Sequence, residues 1–208
     1  MRLLPFLLIL ILSGCSSTTL VSSHKTEGIP PKQYGVILVV GMSENPQTRV
    51  AFEEIFSDEM RKRGLKAISS YTIKSLKGKP SRADFVEAMK KEGADGLLSS
   101  HLLDIKVKRD KKAGFVMTDR GIYDDFYDYY DGYWGGIGTY ATYESKPVDE
   151  ILSSVTTIET TLFDAGTGRI IWSGRSNEKN ADQLIESTKE LSNLVLDALK
   201  NEGLLTTK

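Results

Sequence analysis

Residues 34–40, YGVILVV, constrain the fold more than any other stretch. The run is nearly unbroken in apolar side chains and rich in valine and isoleucine. A strand with one wet face alternates apolar and polar residues; an unbroken run suits a strand covered on both faces. Residues 41–46 break it with Gly41 and Pro46. Residues 47–63 then place Ala51, Phe52, Ile55, Phe56 and Met60 at helical spacing, with Glu53, Glu54, Asp58 and Glu59 mostly between them. Arg61, Lys62 and Arg63 crowd the last turn, where the helix dipole favours cations, and Gly64 supplies the C-cap. A second strand follows at 65–71.

Ser81, with Asp84 three residues on, opens a second helix through a variant of the capping box. That helix turns Phe85, Ala88 and Met89 inward and ends at Gly93. In a third, long strand at 94–108, Leu97, His101, Leu103, Ile105 and Val107 fall on one face, and Asp104, Lys106 and Lys108 on the other. Residues 151–163 and 169–175 form a hairpin whose turn holds Gly166 and Gly168, both free to take positive φ. A last helix over 181–201 aligns Leu184, Thr188, Leu191, Val195, Ala198 and Leu199. The expected class is α+β, in a three-layer-like α/β arrangement. Its order is β-α-β-α-β-β-α, with a mixed sheet of about five strands and helices mainly on one face.

The domain organisation is read as a signal peptide at 1–14, a flexible lipidated tether at 15–32 and a single α/β domain at 33–208 with an insertion at 109–150. Arg2 and the apolar block 3–12 have the anatomy of a secretory signal. The block is about ten residues, half the roughly 20 a spanning helix needs. The order Leu12-Ser13-Gly14-Cys15 resembles the bacterial lipobox, in which the cysteine thiol takes a diacylglyceryl group and cleavage frees its amine for acylation. Cys15 is the one cysteine of the chain, so after lipidation no thiol is left for a disulfide. The resemblance implies a palmitate-type acyl anchor. Ser16, in place of the aspartate that retains proteobacterial lipoproteins at the inner membrane, implies the outer membrane, with the domain facing the periplasm. Residues 16–32, rich in serine and threonine and closed by Pro30 and Pro31, read as tether, with His24 solvated.

The step Gly93-Ala94-Asp95, the hairpin LFDAGTGRIIWSG at 162–174 and the Tyr/Gly-rich insertion before it resemble the TolB amino-terminal-domain-like fold. That fold is shared by the curli-secretion lipoprotein CsgG and the LpoB activators of penicillin-binding proteins. The resemblance covers residues 34–203 and implies fold, not chemistry. It departs from the curli pore in lacking a pair of amphipathic hairpins suited to a membrane barrel.

Chemistry-bearing patterns are sparse. The two histidines are His24 in the tether and His101 on an apolar strand face, where a hydrogen-bonded core histidine is expected. No nucleophile elbow, P-loop or zinc spacing is present, which speaks against a histidine-dependent hydrolase and gives no reason to expect a cofactor. Asp124, Asp128 and Asp131 offer hard oxygen ligands, but their spacing does not fit a calcium loop, and no metal is expected. Lys and Arg total 27 against 28 Asp and Glu, and the insertion is acidic, so nucleic acid is excluded as a partner.

The insertion interleaves Tyr123, Tyr127, Tyr129, Tyr130, Tyr133, Trp134, Tyr140 and Tyr143 with Asp124, Asp125, Asp128 and Asp131. Such rings offer large contact area at low entropy cost. The expected function is that of a non-enzymatic, membrane-anchored binding or assembly module. Its candidate contact residues are Tyr123, Tyr127, Tyr129, Tyr130, Tyr133, Trp134 and Tyr140, and its partner is an envelope protein or peptidoglycan-type glycan. The bland alternative is an insertion that is merely a surface loop or folds back over the sheet. Two other functions stand beside the first: a carboxylate-dependent enzyme on cell-wall glycan, and a structural subunit that assembles with its own copies.

Overall fold

The computed structural model describes residues 18–43, 45–108, 126, 127, 130, 153–179 and 184–206, with 104–108, 153, 154 and 184 described in backbone only. The elements are β1 (Thr18–Lys25), β2 (Val36–Met42), α1 (Pro46–Lys62), β3 (Lys66–Ser69), α2 (Arg82–Glu92), β4 (Gly96–Lys108), β5 (Ser153–Asp164), β6 (Ile170–Lys179) and α3 (Leu184–Asn201). The class is α+β, with one mixed sheet in the order β1-β6-β5-β4-β2-β3.

The sheet has six strands rather than about five, and the sixth comes out of the expected tether. Thr18–Lys25 pairs antiparallel with β6 along the sheet edge. An edge strand is held by its backbone ladder and needs no alternating apolar pattern, so a Ser/Thr-rich segment can supply one. His24 lies on this strand and is solvent-exposed, as expected.

Local signals place the helices. Asn45 caps α1 by accepting from the Gln47 and Thr48 amides, and Pro46 occupies its first turn. Ser81 and Asp84 close a full capping box on α2, and Gly93 ends it in the left-handed region at φ 67°.

Strand β2 is covered on both faces, as its composition requires. Ile37 and Val39 join Phe56 and Met60 of α1, Leu191, Val195 and Leu199 of α3, and Leu98, Leu162 and Trp172. Leu38, Val40 and Met42 join Phe85, Ala88 and Met89 of α2, with Leu97, Phe163 and three residues of the insertion: Phe126, Tyr127 and Tyr130. Two of the three described helices therefore share one face and α2 takes the other. The strand order explains the split. β2 pairs in parallel with β3 on one side and β4 on the other. Two crossovers of one hand that depart in opposite directions must lie on opposite faces.

The single apolar face expected for β4 does not persist along the strand. A register shift separates Leu102, paired with Ile158, from Asp104, paired with Thr157. Leu103 is the extra residue, and a bulge resets the alternation that a period-of-two count runs straight through. His101, half-buried, stands opposite Glu159. In β6, Trp172 folds back over Gly174. A Cβ there would lie 2.3 Å from the indole ring, so the motif Trp-Ser-Gly is a slot for one ring.

Candidate functional site

Open sheets with parallel strands take ligands at the strand carboxyl ends, in the crevice where neighbouring loops diverge to opposite faces. Here that point lies between β2 and β3, whose exits lead to α1 and α2. The chain's own side chains fill it. Glu53, fully buried, accepts from the Gly41 amide at 3.0 Å, the Tyr71 amide at 2.8 Å, the Ser70 hydroxyl at 2.7 Å and Arg49 Nε at 2.9 Å. Arg49 also donates to Ser70 Oγ at 2.7 Å and to the Leu76 carbonyl at 3.2 Å. The buried pair ties both exits together and leaves the crevice occupied by structure.

A second polar node sits under the β5–β6 turn. Asp164 Oδ1 accepts from the Gly166 and Thr167 amides and the Thr167 hydroxyl, and Oδ2 accepts from Lys32 Nζ at 2.5 Å and from the Tyr34 hydroxyl at 3.2 Å. Burial alone would raise the Asp164 carboxyl, but the Lys32 ammonium and the Thr167 donors outweigh it and hold the group below the usual carboxylate range. Tyr34 is pushed up by burial and by the Asp164 charge. Asp95 accepts from the Gly35 and Val36 amides. Lys32 further donates to the Asp95 carbonyl, so the node locks the entry of β2 to the hairpin. A cleft of about 380 Å³ opens beside it, with Ile29, Pro30, Ile171 and Leu204 among its apolar lining and Lys25 and Lys32 at its polar positions. Lys25 is engaged with the Glu202 carbonyl, and Lys32 with Asp164.

The antiparallel half of the sheet carries a row of polar residues across three strands. Cross-strand partners share a face, so the face that begins at Leu97 and Phe163 continues outward as polar residues. Thr161 pairs with Ser173, Glu159 with Arg175 and Thr157 with Asn177; β1 adds Thr19, Ser22 and His24 opposite Asn177, Arg175 and Ser173. Arg175 Nε reaches Glu159 Oε1 at 3.4 Å, and the Thr157 hydroxyl donates to Asn177 Oδ1 at 2.9 Å. Glu159 is buried, Thr157, Ser173, Arg175 and Asn177 are half-buried, and Thr19, Ser22 and His24 are exposed. Hydroxyl, amide, guanidinium and imidazole groups thus form a hydrogen-bonding ledge, buried at Thr161 and Glu159 and exposed along its β1 edge. Its residues are drawn from three strands, and sequence spacing alone could not assemble it.

The expected contact residues divide. Tyr127 and Tyr130 are each 5% exposed and lie inside the second core cluster. Phe126 sits between them and the sheet, edge-on to Phe85 at 4.9 Å and to Phe163 at 5.2 Å, and its amide donates to the Gly168 carbonyl. Arg82 stacks over the Tyr127 ring at 4.3 Å. Burial removes these two tyrosines from any surface that touches a partner. Tyr123, Tyr129, Tyr133, Trp134 and Tyr140 lie outside the described residues, as does Cys15. The spacing 126, 127, 130 is a helical apolar pattern hidden among aspartates, and it was the available signal for the buried subset.

The glycan-enzyme alternative needs two carboxylates in a cleft. Glu178 and Glu190 are a close pair: the Thr18 amide, whose residue pairs with Glu178 across the strands, donates to Glu190 Oε2 at 3.1 Å. Glu178 is only 3% exposed, however, and its Oε1 has no hydrogen-bond partner among the described residues. Burial, together with the Glu190 charge, pushes the Glu178 carboxyl from the ordinary 4.5 up to about 7. This is a buried acid that holds its proton up to about pH 7, out of reach of a polymer.

Its effect falls on stability. The folded state holds a proton between pH 4.5 and about 7 that the unfolded chain releases, so the contribution is full below 4.5 and is lost as pH rises through about 7. The loss amounts to about 3 kcal/mol. Glu178→Gln should remove it, raising the melting temperature by several degrees at pH 8 and leaving it unchanged at pH 4.5. Equal shifts at both pH values would exclude a titrating Glu178 as the cause.

No family model matches the chain, and no curated protein matches it. Among solved structures, a PelC dodecamer from Paraburkholderia phytofirmans is similar at a TM-score of 0.45 and 13% identity, over 91% of this chain and 99% of that one. The lipoprotein GNA1162 from Neisseria meningitidis is similar at 0.39 and 17%, over 81% of this chain and 96% of that one. A PDZ domain protein from Parabacteroides distasonis is similar at 0.41 and 11%, over 92% of this chain but 37% of that one.

Proposed function

We propose that this chain is a lipid-anchored envelope protein that holds another envelope component rather than converting one. The observation that carries the binding role is the filled crevice: Glu53 and Arg49 occupy the place where sheets of this kind receive substrates, while Thr19, Ser22 and His24 of β1 leave the outer part of the polar ledge exposed. The anchor rests on Leu12-Ser13-Gly14-Cys15, and Ser16 favours the outer membrane with the domain in the periplasm. No helix among the described residues is long and apolar enough to cross a membrane. A ledge of hydroxyls, one amide and one guanidinium suits a hydroxylated glycan or the polar backbone of a protein strand.

Crosslinking in cells followed by mass spectrometry tests this. The His24→Ala/Asn177→Ala variant, altered only on the ledge, should recover roughly tenfold less of the crosslinked partner, about 1.4 kcal/mol of binding, with the melting temperature nearly unchanged. Undiminished recovery would refute the ledge as the contact.

A further inference from the structure

We propose that the folded domain rests directly on the bilayer entered by the Cys15 lipid, with the start of β1 and the first turn of α3 as its membrane-facing end. This builds on the lipidation proposed above. Three features of the chain lead to it.

The first is reach. β1 begins at Thr18, three residues after Cys15. Whatever path they take, three residues span at most about 11 Å. The headgroup layer is itself roughly 5–7 Å deep on each side. A lipidated Cys15 therefore leaves no spacer between the headgroups and the end of the sheet.

The second is the overhang of α3. The helix runs beside β1 in the same direction: Thr18 is bonded to Glu190 at one end, and Lys25 donates to the Glu202 carbonyl at 2.9 Å at the other. Residues 184–189 therefore continue past Thr18, toward the side from which Cys15 arrives, by up to about 9 Å at 1.5 Å per residue.

The third is what that overhang presents. Ile185 is 67% exposed, the most exposed large hydrophobic side chain among the described residues. Lys189 is exposed on the same overhang, and Lys179 is exposed at the end of β6, next to the Glu178–Thr18 pair; Glu186 is exposed there too. An apolar side chain one helical turn from a lysine, with a second lysine at the same end of the sheet, suits the boundary between acyl chains and phosphates, where the isoleucine leaves water and the ammonium groups meet lipid phosphate. The contact fixes orientation: the β5–β6 turn points away from the membrane.

The full-length, lipidated protein in phosphatidylcholine–phosphatidylglycerol vesicles provides the test. With Cys15 acylated, a cysteine introduced by Ile185→Cys is the one free thiol and can carry an environment-sensitive fluorophore. Thr167→Cys, in the turn at the opposite end of the sheet, is the reference position. Vesicle flotation comes first. A protein that does not float fails the lipidation itself, and the orientation with it. On protein that floats, the label at 185 should be quenched by doxyl-labelled lipid roughly threefold more than the label at 167 and shielded from aqueous iodide. A label at 185 that is as open to iodide and as distant from the doxyl lipid as the label at 167 would overturn the orientation while leaving the anchor standing.

Discussion

Glu53→Leu is expected to lower the unfolding free energy by about 3–5 kcal/mol, the range for breaking a buried ion pair on one side. The loss has several parts. Arg49 keeps its charge in a half-buried place without its carboxylate, and the Gly41 and Tyr71 amides and the Ser70 hydroxyl lose their common acceptor. Arg49 retains only Ser70 Oγ and the Leu76 carbonyl as acceptors among the hydrogen bonds it makes here, and neither carries a charge. Urea denaturation monitored by circular dichroism should show a lower midpoint with an unchanged slope, since the surface exposed on unfolding is nearly the same. A loss below about 1 kcal/mol, typical of an exposed pair, would mean that the crevice is wet and open, and the proposed binding role would lose its main support.

Phe126→Ala should cost a comparable amount, about 3–5 kcal/mol, as for other fully buried aromatic truncations. Phe126 is almost fully enclosed, with Phe85, Tyr127, Tyr130 and Phe163 around it. The measurement decides whether the insertion belongs to the core. It also bears on how the contact loop can be tested: deleting residues 121–143 would remove three core rings together with the candidate contact residues, so lost binding in such a deletion would report lost folding. A Phe126→Ala variant as stable as the parent would place the insertion's rings outside the core and make such a deletion a usable test of binding.

The strand and helix order was legible because its signals are local. The capping box at Ser81, the caps at Gly64 and Gly93 and the unbroken run before Gly41 each act within a few residues. What the sequence concealed depends on partners remote in the chain. β1 forms because β6 offers a free ladder, and nothing in Thr18–Lys25 announces that. Glu53 looks like one of several acids on the wet side of α1, yet it stands three residues before Phe56 and seven before Met60, on the buried stripe itself. The Glu178–Glu190 pair joins a strand to a helix, and the β4 bulge shows only in pairing with β5. Of the candidate site, the ledge is invisible in sequence because it needs three strands in register, and Tyr127 and Tyr130 lie in the core, on the side of the alternative in which the insertion folds back, because tyrosine serves equally well in a core and in a contact.

The placement of β1 carries a consequence for how the protein matures. The Thr18 amide meets Glu190, and the Thr206 hydroxyl meets the Tyr34 carbonyl, each pair 172 positions apart. Contacts of that span are the slowest to form. The nascent polypeptide must be almost complete before its leading segment finds a seat in the sheet. If residues 1–14 act as the leader that the proposed anchor requires, the precursor needs to stay threadable until it has crossed an export channel, and the topology supplies the delay: Thr18–Lys25 is captured only once β6 and α3 have been made.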